Sequence, residues 1–298
     1  MTYKPAGFQL THLLQGVYDR LQQTKGLTAT GGSATTIVDT TLSTSYQDDD
    51  LIGFTAFVTY DAGGAGADPE GKYSKVSDYV ASTTTLTIGT VTTAIAAGDE
   101  ITLARGSLFP LADVKRICNN ALRSLGEVIN IDETTTTAAS QTEYDVPTGV
   151  NYRSIVDVKY QRNTGDSDDN EYESIPYRIV PDASIGGGDA LIVVDQLDSG
   201  RTLQVWSLQP HTVVRVYDSN ISLDIHPELA IAKCALECAR WKVDKGIERS
   251  LLNDLEQDFL YALRVHPIKK YVNKVHGFPQ WSNDGSYIGD QSFYDRVN

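Results

Sequence analysis

Five histidines are the first residues to test for chemistry: His12, His211, His226, His266 and His276. None forms a His-x-x-x-His pair, and no Cys-x-x-Cys accompanies them, so the spacing of a zinc site is missing. Cys234 and Cys238 are four apart and would share a helix face. That is half a metal site at most, and a tight helix contact is the commoner role for such a pair. With Cys118 they make an odd number spread over helical pattern, which implies no disulfide framework. Gly63-Gly64-Ala65-Gly66 has no Gly-Lys-Ser/Thr after it, and Gly186-Gly187-Gly188 leads into a strand, so both read as turns rather than phosphate loops. Asp166-Ser167-Asp168-Asp169-Asn170-Glu171 matches the oxygen spacing of a calcium loop at its first, third and fifth positions. It lacks the glycine that should follow, and Tyr177 stands where a bidentate Glu belongs; a solvated hairpin tip is the better reading. Asp48-Asp49-Asp50 reads the same way. No Gly-x-Ser-x-Gly elbow appears either. The expectation is a protein that is not an enzyme, with no cofactor and no metal.

The elements that must carry these residues belong to a folded chain. Its 298 residues are 41% hydrophobic and 21% charged, enough for a sizeable core in one or two domains. No apolar run approaches the ~18 residues that span a bilayer, so no membrane partner is expected. The N-terminus lacks the layout of a signal peptide, and a cytosolic origin is expected. Net charge is -14, concentrated as -7 over residues 26–106 and -9 over 107–225. Such a chain should not grip phosphate backbones, because that affinity comes from Lys and Arg displacing counterions. The excess acid either keeps the protein soluble or makes a surface past which DNA slides without sticking. Charge alone does not choose between them.

Four segments read as helices. The first runs from about Phe8 to Lys25, with Leu10, Leu13, Leu14, Val17 and Leu21 on one face and Gly26 as its stop. The second follows Ser107, with Pro110 in its first turn, a stripe of Leu111, Val114, Cys118, Leu122 and Leu125, and Gly126 at its end. The third opens at His226-Pro227 and continues to about Lys245, its inner face small: Ala230, Cys234, Ala235, Cys238 and Ala239. The fourth, after Gly246, sets Ile247, Leu251, Leu255, Phe259 and Ala262 on one side and forms an αα-hairpin with the third. Between the first two lies a Thr-, Ser- and Gly-rich stretch whose alternating runs (Ile52 to Val58, Leu86 with Ile88, Ile101 with Leu103) suit a sheet with one wet face. A second β region shows strands over Tyr152–Gln161, Glu171–Ile179, Ala190–Val194, Arg201–Ser207 and Thr212–Tyr217.

The fold class expected is therefore α+β: a helical bundle hub interrupted by two antiparallel β regions, with an extended C-terminal arm. Its parts are an N-terminal hub helix over 1–25, an inserted β domain over 26–106 and a hub helix over 107–128. A second β region follows over 129–225, then the helical hairpin over 226–265 and the arm over 266–298. The arm carries Tyr271, Phe278, Trp281, Tyr287, Phe293 and Tyr294. Six aromatics in 33 residues are too many for a solvated tail, so the arm is expected to lie on a partner.

Three features then suggest a family. They are the hairpin from His226-Pro-Glu-Leu-Ala-Ile-Ala-Lys-Cys-Ala-Leu-Glu-Cys-Ala-Arg-Trp to Val265, the helix Leu111-Ala-Asp-Val-Lys-Arg-Ile-Cys-Asn-Asn-Ala-Leu, and the Thr-rich insert. That insert holds Tyr79-Val-Ala-Ser-Thr-Thr-Thr-Leu-Thr-Ile and closes on Ala97-Gly-Asp-Glu-Ile-Thr-Leu. In layout the chain resembles the head-to-tail connector (adaptor, or neck) proteins of tailed bacteriophages. The resemblance implies a homo-oligomeric ring, often of twelve copies, beneath the portal protein. It implies contact with tail or nozzle proteins, and passage of double-stranded DNA without sequence-specific binding. The place implied is the virion neck, after synthesis in the host bacterial cytoplasm. The six arm aromatics would then be the portal-docking residues.

Two other classes compete. A receptor- or glycan-binding virion component would read its ligand with the 26–106 domain, which offers Tyr46, Tyr60, Tyr73 and Tyr79 but no Trp. A hydrolase would need two carboxylates roughly 5–10 Å apart in one cleft, a constellation the sequence does not display.

Overall fold

The computed structural model describes residues 7–42, 45–64, 68–162, 171–181, 190–242 and 249–268. The chain divides into two compact units. One comprises the described residues up to Gly126 together with those from Pro210 to 268; the other spans Glu127–Gln209.

The first unit is organised by a seven-stranded antiparallel sheet. Its strands are β1 (Thr24–Thr28), β2 (Gly31–Ser33), β3 (Thr36–Val38), β4 (Thr55–Tyr60), β5 (Tyr73–Val80), β6 (Thr85–Ile88) and β7 (Glu100–Ala104), in the order β1-β7-β4-β5-β6-β3-β2. The two outermost strands are consecutive in the chain, separated only by Ala29 and Thr30. Ala29 donates its N–H to the Asp99 carbonyl on one side, and Thr30 donates to the Val38 carbonyl on the other. The sheet therefore curls round and meets itself through a single bent segment, a small barrel. Alternation supplies its filling, because inward residues recur with period two. Leu27, Ile37, Ala56, Val58, Val76, Tyr79, Leu86, Ile101 and Leu103 form one buried cluster. Buried Asp99 closes a loop of the wall, its carboxylate accepting the Ala62 and Ala96 amides at 3.0 and 2.8 Å.

Four helices belong to this unit: α1 (Leu10–Arg20), α2 (Leu111–Ser124), α3 (Pro227–Lys242) and α4 (Arg249–Val265). α3 packs against the other three. Leu229, Ala230, Ile231, Ala232, Cys234, Ala235, Leu236, Cys238 and Ala239 are all buried, covering nearly every face, as expected of a helix inside a core. Its small residues let neighbours approach closely. At Gly16 of α1 an added Cβ would lie 2.6 Å from Ile231 Cδ1. α4 is held more lightly, with only Leu255 and Ala262 of its 17 residues buried.

The second unit holds a four-stranded antiparallel sheet and a three-stranded one. The first comprises β8 (Glu127–Thr136), β10 (Ile155–Gln161), β11 (Tyr172–Ser174) and β14 (Thr202–Pro210); the second comprises β9 (Glu143–Asp145), β12 (Tyr177–Pro181) and β13 (Ala190–Val194). Both contribute to one core, with Val158, Tyr160, Leu203 and Val205 from the first meeting Tyr144, Ile192 and Val194 from the second.

The expected α+β class with a helical bundle hub is overturned. Among the described residues three antiparallel sheets with fourteen strands outweigh four helices, so the protein is mostly β and has no helical bundle as its hub. The helical stripes are real, but each spans only 11 to 17 residues, while the Thr-rich stretches between them form the larger frame. Two details follow the same logic. α1 stops at Arg20 because Gln22 takes the left-handed turn (φ +56°) that had been expected at Gly26, and Gly26 instead pairs with Thr102 inside β1. Thr212–Tyr217 makes no strand; Val214, Arg215 and Tyr217 are bonded to α2 and α1 instead, while the Thr212 and Val216 carbonyls meet His211 and Ser219 nearby in the chain.

Candidate functional site

The arm residues Tyr271, Phe278, Trp281, Tyr287, Phe293 and Tyr294 lie outside the described residues, as do His276, most of Asp166–Glu171 and the Gly186–Gly188 run. What is described is the surface that leads to the arm. On the last turns of α4, Leu260, Tyr261 and Val265 are 56%, 68% and 47% exposed. This helix end is anchored behind by Arg20 of α1, which reaches both Glu228 of α3 and Asp258 of α4 at 2.6 Å. Arg240 of α3 adds a bond to Glu256 at 2.9 Å. Solvent-exposed ion pairs stabilise little, so they orient α4 more than they hold it.

The irregular segment 211–225 is anchored by several side chains from elsewhere in the unit. Asn119, buried on α2, donates to the Val214 carbonyl at 3.0 Å and accepts the Val214 N–H at 2.8 Å. Lys115 donates to the Arg215 carbonyl at 2.8 Å. Tyr217 accepts a short hydrogen bond from Lys72 and lies edge-on to Tyr73 at 6.4 Å. Burial works against the charge on Lys72, but its bonds to Tyr217 and Asp68 outweigh that and push its pKa up. Tyr73 meets Phe57 in a tilted ring contact at 5.3 Å, and Phe57 meets Tyr18 in another at 6.1 Å; the Tyr18 hydroxyl donates to the Phe109 carbonyl at 2.7 Å. The line of rings ties α1, the barrel and the 211–225 segment together. Sequence reasoning missed Asn119, since a lone amide in a helical stripe gives no signal.

The three thiols meet in the core between α2 and α3. Cys118, Cys234 and Cys238 are all fully buried and unoxidised, and Cys234 Sγ lies 3.7 Å from the Cys118 carbonyl. Hydrogen bonding among the thiols, with burial, pushes Cys118 and Cys238 well above the ordinary thiol range. This is packing, not a ligand set. Among the described residues no three His, Cys, Asp or Glu side chains are grouped to hold a metal ion, and no helix is long and apolar enough to cross a membrane. Ellman titration of the folded protein should therefore find all 3 thiols unreactive, appearing together only on unfolding. A thiol that reacts at once under native conditions would contradict this packing.

Elsewhere the residues singled out in the sequence do structural work. Asp48 accepts the Ala81 N–H at 2.7 Å and Asp50 accepts the Gln47 N–H at 2.8 Å. Of the four barrel tyrosines, Tyr79 is buried, Tyr73 is packed in the ring line, and Lys25 sits 4.4 Å over Tyr46; Tyr60 alone is exposed. Trp206 of the second unit is covered by Lys159, whose Nζ is 3.5 Å from the ring centre. Burial and then Asp157 push Tyr177 up to about 12. One groove of about 310 Å³ lies between α1 and α3, and another of about 500 Å³ between α2 and α3. The second is lined by Ala121, Lys233, Glu237, Arg240 and Trp241, with its charges already paired to one another. Neither groove assembles a nucleophile with a base. No protein-family model matches the chain, and no curated protein matches its sequence.

Proposed function

We propose that this protein is a structural adaptor of a tailed phage, a ring below the portal that joins capsid to tail and extends the DNA channel. The observation that carries the proposal is the sequence of surfaces at the chain's C-terminal end. α4 turns Leu260, Tyr261 and Val265 outward, and the residues that follow carry six large aromatics. Exposed apolar area of this kind, continued by Trp and Tyr, suits docking against another protein. The acidic excess suits a lumen that DNA must traverse without adhering. The buried α3 supplies a stiff support for the helix from which the arm departs. The glycan-binding alternative has less to stand on, because the barrel leaves one tyrosine, Tyr60, as an exposed aromatic platform.

The test is portal recruitment by the full chain and by a chain ending at residue 268. The full chain should bind an assembled portal ring, and the shortened one should lose at least about tenfold in affinity, a change of ~1.4 kcal/mol. Its folding, monitored by circular dichroism, should be unchanged. Equal binding by both chains would remove the arm from the proposal; failure of the full chain to bind any assembled portal would remove the adaptor reading itself.

A further inference from the structure

Three histidines perform a task open only to the neutral ring. Nδ1 of His12 accepts the Gln9 N–H at 3.3 Å. Nε2 of His211 accepts the Ser222 N–H at 3.0 Å. Nδ1 of His226 accepts the Glu228 N–H at 3.3 Å. An imidazolium carries two N–H donors and no acceptor, so protonation would set donor against donor in each case. At His211 both nitrogens are committed. Nδ1 lies 2.7 Å from the Thr212 carbonyl, which places the proton there and leaves Nε2 to accept.

The three bonds converge on one seam. The chain before α1 runs beside residues 217–221: Gln9 bridges to Asn220, Leu10 N–H donates to the Ser219 carbonyl, Thr11 N–H to that of Tyr217, and Ile221 N–H to that of Phe8. His12 closes the start of α1 at one end of the seam. His211 ties the ends of the 211–222 segment together, and His226 binds the first turn of α3 where that segment finishes.

We propose that this seam is an acid-releasable clasp: when His211 and His226 take up protons, residues 218–225 let go of the start of α1, while Val214 stays held by Asn119. The pivot follows from chemistry, because an amide does not titrate and Lys72 keeps its charge throughout. The groups facing each ring set the balance. His211 is 3% exposed; burial lowers its pKa and the Thr212 carbonyl opposes the change. His226 is lowered by burial and by His266, stacked on it at 3.4 Å between ring centres, with Glu228 opposing. His12 is lowered by burial, with Glu70 opposing; Asp19, Arg20 and Glu228 line the same groove. All three folded values lie below the 6.5 of a free imidazole. The unfolded or released state therefore binds more protons, and the clasp is intact above that pH and weakens as pH falls through it.

The test is amide exchange by NMR on the whole chain at about pH 7 and about pH 5, corrected for intrinsic rates. Leu10, Ile221, Ser222 and Glu228 should lose roughly tenfold or more in protection relative to Val214. In H211Q the side-chain carbonyl replaces Nε2 as an acceptor that does not titrate, so Ser222 should keep its protection at the lower pH. Should H211Q fail to fold, the ring titration of the unsubstituted chain decides alone, with His211 expected to titrate below 6.5. Unchanged protection of Ser222 between the two pH values, equal loss at Val214, or a His211 midpoint at or above the free value would each overturn the clasp.

Discussion

Replacing Asn119 by alanine should lower the unfolding free energy of the first unit by about 3 kcal/mol or more. The substitution leaves the Val214 N–H and carbonyl in a buried site without partners, and each such orphan costs ~1–3 kcal/mol. Asn119 also donates to the Lys115 carbonyl at 2.9 Å, a further bond that disappears. Cavity formation adds to the loss. For a unit of this size ~3 kcal/mol corresponds to a fall in melting temperature of about 6–12 °C. Asn119→Asp is the informative companion. It keeps an acceptor for the Val214 N–H but sets a carboxylate against the Val214 carbonyl, so it should be at least as damaging at neutral pH. A loss below about 1 kcal/mol for the alanine variant would mean that segment 211–225 is held by other contacts.

The second large effect is expected at Gly106. A Cβ there would lie 2.2 Å from the carbonyl oxygen of Gly53, far inside contact distance. The neighbour is backbone, which cannot rotate away as a side chain can. The site continues the β4–β7 ladder, in which Thr55 faces Ala104, so the two glycines let the strands stay paired at the barrel rim. Gly106→Ala should cost about 2–3 kcal/mol through the shift it forces on one strand. By contrast Gly26→Ala, where nothing lies within 4 Å, should change stability by less than about 0.5 kcal/mol. Denaturant midpoints for the pair give the comparison directly, and similar midpoints would show that the rim is looser than its geometry.

Much of the local structure was legible because it rests on local pattern. Of the stripe Leu111, Val114, Cys118, Leu122 and Leu125 the last four are buried as their spacing requires and Leu111 is half-buried, and Ala190–Val194 is a strand over its expected length. What was not legible depends on partners far along the chain. Nothing between Phe8 and Lys25 says that Thr24–Thr28 will be drawn into a sheet by Glu100–Ala104. Helical pattern wins in isolation, and long-range pairing wins in the fold. Thr212–Tyr217 alternates like a strand, yet Asn119, Lys115 and Lys72 satisfy it as an irregular segment. Over-weighting the helices followed from the same cause, since stripes announce themselves and the closure of a sheet does not. The histidine bonds were equally hidden: five isolated histidines carry no motif, and their shared task exists only where three chain segments meet.

Closure of the barrel through Ala29 and Thr30 has a consequence for how the protein behaves in a crowd. Threonine-rich, alternating sequence with few basic side chains is good material for adding strand after strand, and an open sheet of it would offer main-chain donors and acceptors to any similar segment. Here the chain that begins the sheet also finishes it: β1 and β2, each paired in the sheet on one side only, to β7 and to β3, meet at the bend of Ala29 and Thr30. A strand added at either edge has to pass that bend, where the Ala29 and Thr30 amides are already bonded to Asp99 and Val38, so the bend limits how far a foreign strand can run along the sheet.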